Sequence, residues 1–188
     1  MTWKPEPLPL NWPIQLPDGT QLAALPRRAF TVAEHREAIA RAGTDEDARF
    51  EALAMLATGQ TLEVLEDLKR PDYVSLAAWL MEYVNATPAL FTGKQPESLD
   101  DWPLLVPISS FGKAIDRIQL HVPSMKATKV MSAEKDPIKA VDFISSHCTG
   151  IPPTDIGKLS LPDWNQLQGR LDDFLNKPAA FFQSATSK

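Results

Sequence analysis

The sequence predicts an α+β protein, predominantly α-helical, made of two similar copies, each a short β-hairpin followed by three to four helices. Three observations predict it: an internal repeat, turn signals beside alternating strands, and helices with apolar residues at 3-4 spacing. The repeat is the strongest. Thr58-Gly59 recurs as Thr149-Gly150, an offset of 91 residues (149 less 58). At that offset, without gaps, Leu68 falls on Leu159 and Pro71-Asp72 on Pro162-Asp163. Leu76, Leu80 and Asn85 fall on Leu167, Leu171 and Asn176, and Ala89 and Phe91 on Ala180 and Phe182. The pairs Leu65/Ile156, Tyr73/Trp164, Tyr83/Phe174, Val84/Leu175 and Leu90/Phe181 keep the same frame. Two copies suggest a tandem duplication rather than a solenoid, which needs about three or more units. The first copy is expected over 1–94, with a hairpin at 12–25 and helices to 86. The second is expected over 103–188, with a hairpin at 104–122 and helices to 177, and 92–102 as the linker.

Each element has a local reason. Residues 1–11 are rich in proline and read as an extended arm. Trp12 to Leu16 alternates, and Asp18-Gly19 is a hairpin signal leading into a strand from Thr20 toward Leu25. In the second copy Leu104 to Ile108 is the matching strand, Gly112 marks the turn, and Ile118, Leu120 and Val122 alternate as a half-buried strand requires. Thr31 and Glu34 form a capping box that starts a helix ending near Gly43. Asp45-Glu46-Asp47 places acid at the next helix N-terminus, Phe50, Leu53, Leu56 and Ala57 give its buried face, and Gly59 caps it. Pro137 starts the counterpart, which runs through Ile138, Val141, Ile144 and Cys148 to Gly150. Short helices follow near 62–68 and 154–159. Pro71 and Pro162 open the last helix of each copy. Its buried face is Tyr73, Leu76, Leu80, Tyr83 and Val84 in one and Trp164, Leu167, Leu171, Phe174 and Leu175 in the other. The tail after Phe182 is expected to fray.

Composition bounds the function. A hydrophobic content of 44% with 23% charged residues suffices for a globular core, but two small units each bury a modest share of their surface. Packing on each other, on a partner or by self-association is therefore expected. The net charge of −5 lacks the basic patches on which nucleic-acid binding runs. Residues 1–94 carry 9 basic and 13 acidic residues against 10 and 11 in the rest, and neither half has a basic stripe. Cys148 alone cannot form an intramolecular disulfide, so a reducing cytoplasm is expected. No stretch has signal-peptide or membrane-spanning character.

No constellation for catalysis, metal or cofactor stands out. His35, His121 and His147 are scattered, and adjacent His147-Cys148 point to different sides of a helix. Cys148 aligns with Ala57 and reads as a small core thiol. No nucleophile elbow or phosphate loop occurs. Asp72 and Asp163 recur beside prolines at helix starts, where capping explains them, and Asp172-Asp173 reads as a solvated face. One asymmetry stands apart. The last helix of the first copy adds Val74, Ala77, Ala78, Trp79 and Met81 to its apolar stripe, where the second copy has Asn165, Gln168, Gly169, Arg170 and Asp172. A helix apolar all round needs a second surface to cover it, either the other copy or a partner helix. Val74, Ala78, Trp79 and Met81 are therefore the candidate partner-binding residues.

The second copy carries Val106-Pro107-Ile108, Gly112-Lys113, Ile115 to Leu120, Pro123, Thr149-Gly150-Ile151, Ile156, Leu159, Asp163 and Phe174-Leu175; the first carries Trp12-Pro13-Ile14, Asp18-Gly19, Leu65, Leu68, Asp72 and Leu76. This pattern resembles the small tail assembly chaperones of Mu-like and related contractile-tailed phages. Members of that family are usually single-copy, and the doubling is a departure. The resemblance implies a non-enzymatic protein of the host cytoplasm that binds the tape measure protein, helps recruit the tail tube protein and leaves before the tail is finished. From the composition and the motifs, no cofactor, no metal, no nucleic acid and no membrane are expected. The alternatives are a structural component of a contractile tail or baseplate, and an enzyme of an unrecognised family.

Overall fold

The computed structural model describes residues 3–183. Of the tail expected to fray, only Gln183 lies within them, and the rest lies outside the described residues. The chain is 54% helix and 18% strand, so helix predominates in an α+β fold. It divides into two compact units: residues up to Ala86 with Ser160–Pro162, and Thr87–Leu159 with the residues from Asp163 on.

In the first unit, β1 (Leu8–Gln15) and β2 (Gln21–Leu25) form an antiparallel hairpin. The Asp18 carboxylate accepts from the Thr20 amide at 2.9 Å and hydroxyl at 2.6 Å, and Gly19 supplies the φ of +84° that the turn demands. Then come α1 (Val32–Ala42), α2 (Glu46–Thr58), α3 (Leu62–Glu66) and α4 (Arg70–Asn85). The Thr31 box forms as the sequence indicates: the Glu34 amide donates to the Thr31 hydroxyl and the Thr31 amide to the Glu34 carboxylate. Asp45 caps α2 by accepting from the Ala48 amide at 2.8 Å. Leu10, Ile14, Leu25, Phe30, Leu76, Leu80 and Tyr83 are buried. The Tyr83 hydroxyl closes the connection after β2, accepting from the Phe30 amide and donating to the Phe30 carbonyl.

The second unit holds α5 (Pro88–Thr92), the hairpin β3 (Asp101–Ser110) and β4 (Lys113–Gln119), then α6 (Met125–Ala133), α7 (Pro137–Thr149), α8 (Pro153–Ile156), the body of α9 (Leu161–Asn176) and α10 (Ala179–Gln183). Phe111 and Gly112, with φ of 48° and 74°, make the two-residue turn whose twist suits a hairpin. The hairpin tip is held by Asp155, which accepts from the Ser110 hydroxyl at 2.5 Å and pairs with Lys158 at 2.6 Å. Trp102, Leu105, Ile118, Ile144, Cys148, Ile156, Leu167 and Leu171 are buried.

One device occurs in each unit. The ladder of β1 with β2 slips between Pro9 and Ile14, and that of β3 with β4 between Pro103 and Ile108. A bulge leaves strand amides without ladder partners, and those amides need acceptors. Asp72 accepts from the Asn11 and Trp12 amides, both at 3.1 Å. Asp163 accepts from the Leu105 amide at 2.7 Å and the Val106 amide at 3.2 Å. The reading of these acids as helix caps is corrected: each stands in the first turn of its helix, but the carboxylate reaches a strand.

Other differences are of extent. β1 begins at Leu8, inside the segment expected to be an arm, where Leu8 pairs with Leu25 and Pro9 with Ala24. The expected linker 92–102 is shorter than anticipated: α5 occupies 88–92 and β3 begins at Asp101. A five-residue helix is too short to declare a 3.6-residue period, and α6 interleaves Lys126, Thr128, Lys129 and Ser132 with its apolar residues, which blurs its period. Of the acidic pair, Asp172 is exposed but Asp173 takes the Arg170 guanidinium.

Candidate partner-binding surface

α4 carries the candidate contact residues, and the fold separates them. Val74 is 49% and Met81 63% exposed, and Ala78 is exposed between them. At positions i, i+4 and i+7 these three lie along one face of the helix. Trp79 is one residue out of that phase and only 8% exposed. Its indole stacks on Tyr83 at 5.6 Å between ring centres, and the Arg27 guanidinium covers it at 4.8 Å. Arg27 is itself tied to the Glu6 carbonyl. Burial pushes its guanidinium below its ordinary value, and Glu6 opposes that shift. Trp79 is thus a support beneath the surface, because a long apolar ring one residue from the stripe turns toward the core and a cation stacks on what remains.

The equivalent helix shows why its polar residues differ. Arg170 is buried, bonds Asp100 at 2.6 and 3.1 Å, and lies over the Phe174 ring at 4.7 Å. Its hydrogen bond with Asp100 raises its pKa above the ordinary arginine value. Gln168 donates to the Ser145 hydroxyl at 3.0 Å. These side chains serve bonds within the second unit.

A depression between α1 and α2 was not anticipated. It has a volume of about 690 Å³ and is lined by Ala38, Ala42, Ala48, Ala52 and Met55. Alanines four apart on both helices were its sequence signal. Beside it, His35 is held below its ordinary value by burial and then by the charge of Arg36. Burial raises Glu34, but the Arg28 and Thr31 hydrogen bonds and the Arg28 charge outweigh it and leave the carboxyl below its ordinary value. Both folded values lie under the unfolded ones, so each contributes stability at neutral pH that is lost on acidification. The histidine part is lost as pH falls from about 6.5 through its lower folded value, and the glutamate part further down. His35→Gln should therefore flatten the melting temperature between pH 7 and 5.5; an unchanged slope would remove His35 from the account.

Among the described residues, no three His, Cys, Asp or Glu side chains are grouped to hold a metal ion. Cys148 is buried, and burial pushes its thiol up to about 11. Among the same residues, no helix is long and apolar enough to cross a membrane.

Comparison of the chain with protein families matches residues 102–176 to phage tail assembly chaperone proteins, E, or 41 or 14. That segment is similar to the phage tail assembly chaperone family. It holds β3 from its second residue, β4, α6, α7, α8 and α9. The chaperone match covers less than half of the chain, and α4 with its exposed stripe lies outside it. No curated protein matches the chain, and no solved structure does.

Proposed function

We propose that this chain is a tail assembly chaperone that binds the tape measure protein, keeps it soluble in the host cytoplasm while the tail tube protein is recruited, and is not retained in the finished particle. The family match over 102–176 carries this reading and supports a role in phage tail assembly. The exposed stripe Val74, Ala78 and Met81 supports it, because an amphipathic client helix can lay its apolar face on such a surface. The bulge-and-aspartate device of each unit supports descent of the two from one duplicated ancestor.

Co-expression with the tape measure protein of the same gene cluster tests the reading. A soluble complex is expected, with the client insoluble alone. A client that stays in the pellet would count against it. Mass spectrometry of purified particles tests departure. The chain should be absent, and a stoichiometric amount would favour a structural component of the tail or baseplate.

A further inference from the structure

We propose that the second unit carries a cleft at Trp102 that takes an extended apolar segment of a tail protein and holds one of its main-chain carbonyls on the Trp102 indole N–H. The cleft has a volume of about 370 Å³ and lies among α5, the segment after it, the first half of β3 and α9, with Ala89, Pro96, Trp102, Leu104 and Gln166 in its walls. That is at the small end of the roughly 300–1,000 Å³ of ligand clefts. Trp102 is 1% exposed, and its Nε1 is the one buried side-chain nitrogen or oxygen among the described residues without a hydrogen-bond partner. Native folds seldom leave a buried donor unmatched, and a buried indole N–H usually finds an acceptor. The orphan donor and the cleft that Trp102 lines are thus two observations on one residue.

The chemistry of the guest follows from the walls. Leucine, proline and alanine surfaces suit an apolar side chain. The charges at the rim cancel: Lys94 and Glu97 are of opposite sign, and Arg117 is paired with Asp101. A neutral acceptor fits this better than a carboxylate. Carbonyls in the middle of a helix are already bonded, so the acceptor comes from an extended segment or a helix's last turn. Trp102 is the first residue of the family match, so the cleft belongs to the unit that carries the chaperone relationship, unlike the α4 stripe. The identity of the guest as a tail protein rests on the function proposed above. The cleft's selectivity for an apolar peptide does not.

The test uses the full chain labelled with 15N and titrated with N-acetyl-leucine-methylamide, a neutral probe with one apolar side chain and main-chain carbonyls. The Trp102 indole resonance, assigned with Trp102→Phe, should shift saturably together with the Ala89 amide, and Ala89→Trp should abolish binding by filling the cleft. An indole signal unmoved at the probe's solubility limit, with exchange to a bound water, would overturn the proposal. In co-expression, Ala89→Trp with an unchanged melting temperature should recover at least tenfold less tape measure protein; equal recovery would overturn the cleft and leave the chaperone reading standing. A saturable indole shift with no recovery by the wild type would support the cleft while sinking the chaperone reading.

Discussion

Asp163→Ala is expected to destabilise the protein by about 3–5 kcal/mol, because bonds to a charged group contribute about 1.5–3 kcal/mol each and two amides lose their acceptor together. Asp163 is fully buried, and the Leu105 amide it serves is buried with it, so water cannot take its place. For a unit of this size, such a loss lowers the melting temperature by roughly 12 °C or more. Asp163→Asn should lose most of this as well, since an amide turns one N–H toward a strand amide that needs an acceptor. Asp72→Ala should lose less, about 2 kcal/mol, because Asn11 and Trp12 are exposed and water can bond the freed amides. Urea unfolding followed by far-ultraviolet circular dichroism measures all three. A loss under about 0.5 kcal/mol for Asp163→Ala would mean that the bulge amides have another acceptor, and the account of these carboxylates would fall.

The second large effect separates Trp79 from its neighbours on α4. Trp79→Ala removes a buried ring against Tyr83 and under Arg27, and large-to-small changes of an aromatic in a core cost about 3–5 kcal/mol. That variant should unfold the first unit, so its loss of client binding would say nothing about a surface. The double variant Val74→Asp, Met81→Asp changes only side chains that already face solvent, and its stability should stay within about 1 kcal/mol of wild type. On co-expression it should leave most of the tape measure protein in the pellet, at least tenfold more than the parent chain does. Full solubility of the client with this variant would remove the α4 stripe from the proposed mechanism and leave the second unit to account for binding.

Much of the local structure was legible. Thr31 with Glu34, Asp45, Asp18-Gly19 and the glycines after α2 and α7 act through neighbours a few residues away, and they do in the fold what their spacing indicates. The inward faces of α4 and α9 follow from a 3.6-residue period. The surface was only half legible. Periodicity marked α4 as having too much apolar side chain, but it could not say that Arg27, reaching from beyond β2, covers Trp79 and leaves Val74, Ala78 and Met81 exposed. The cleft at Trp102 had no signal, since its walls come from α5, β3 and α9.

By itself the sequence determined the α+β class, the repeat in its residues, the hairpin turns, the helix caps and the apolar faces, because each of these is set by interactions of short range or by a period. Only the tertiary structure decided the roles of Asp72 and Asp163, since each carboxylate meets strand amides about 60 residues away, at bulges that no local rule announces. A proline beside an aspartate at a helix start looks the same whether the carboxylate turns back to cap its own helix or forward to a strand. Which way it turns depends on where unpaired amides lie in space, and that is fixed when the hairpin packs.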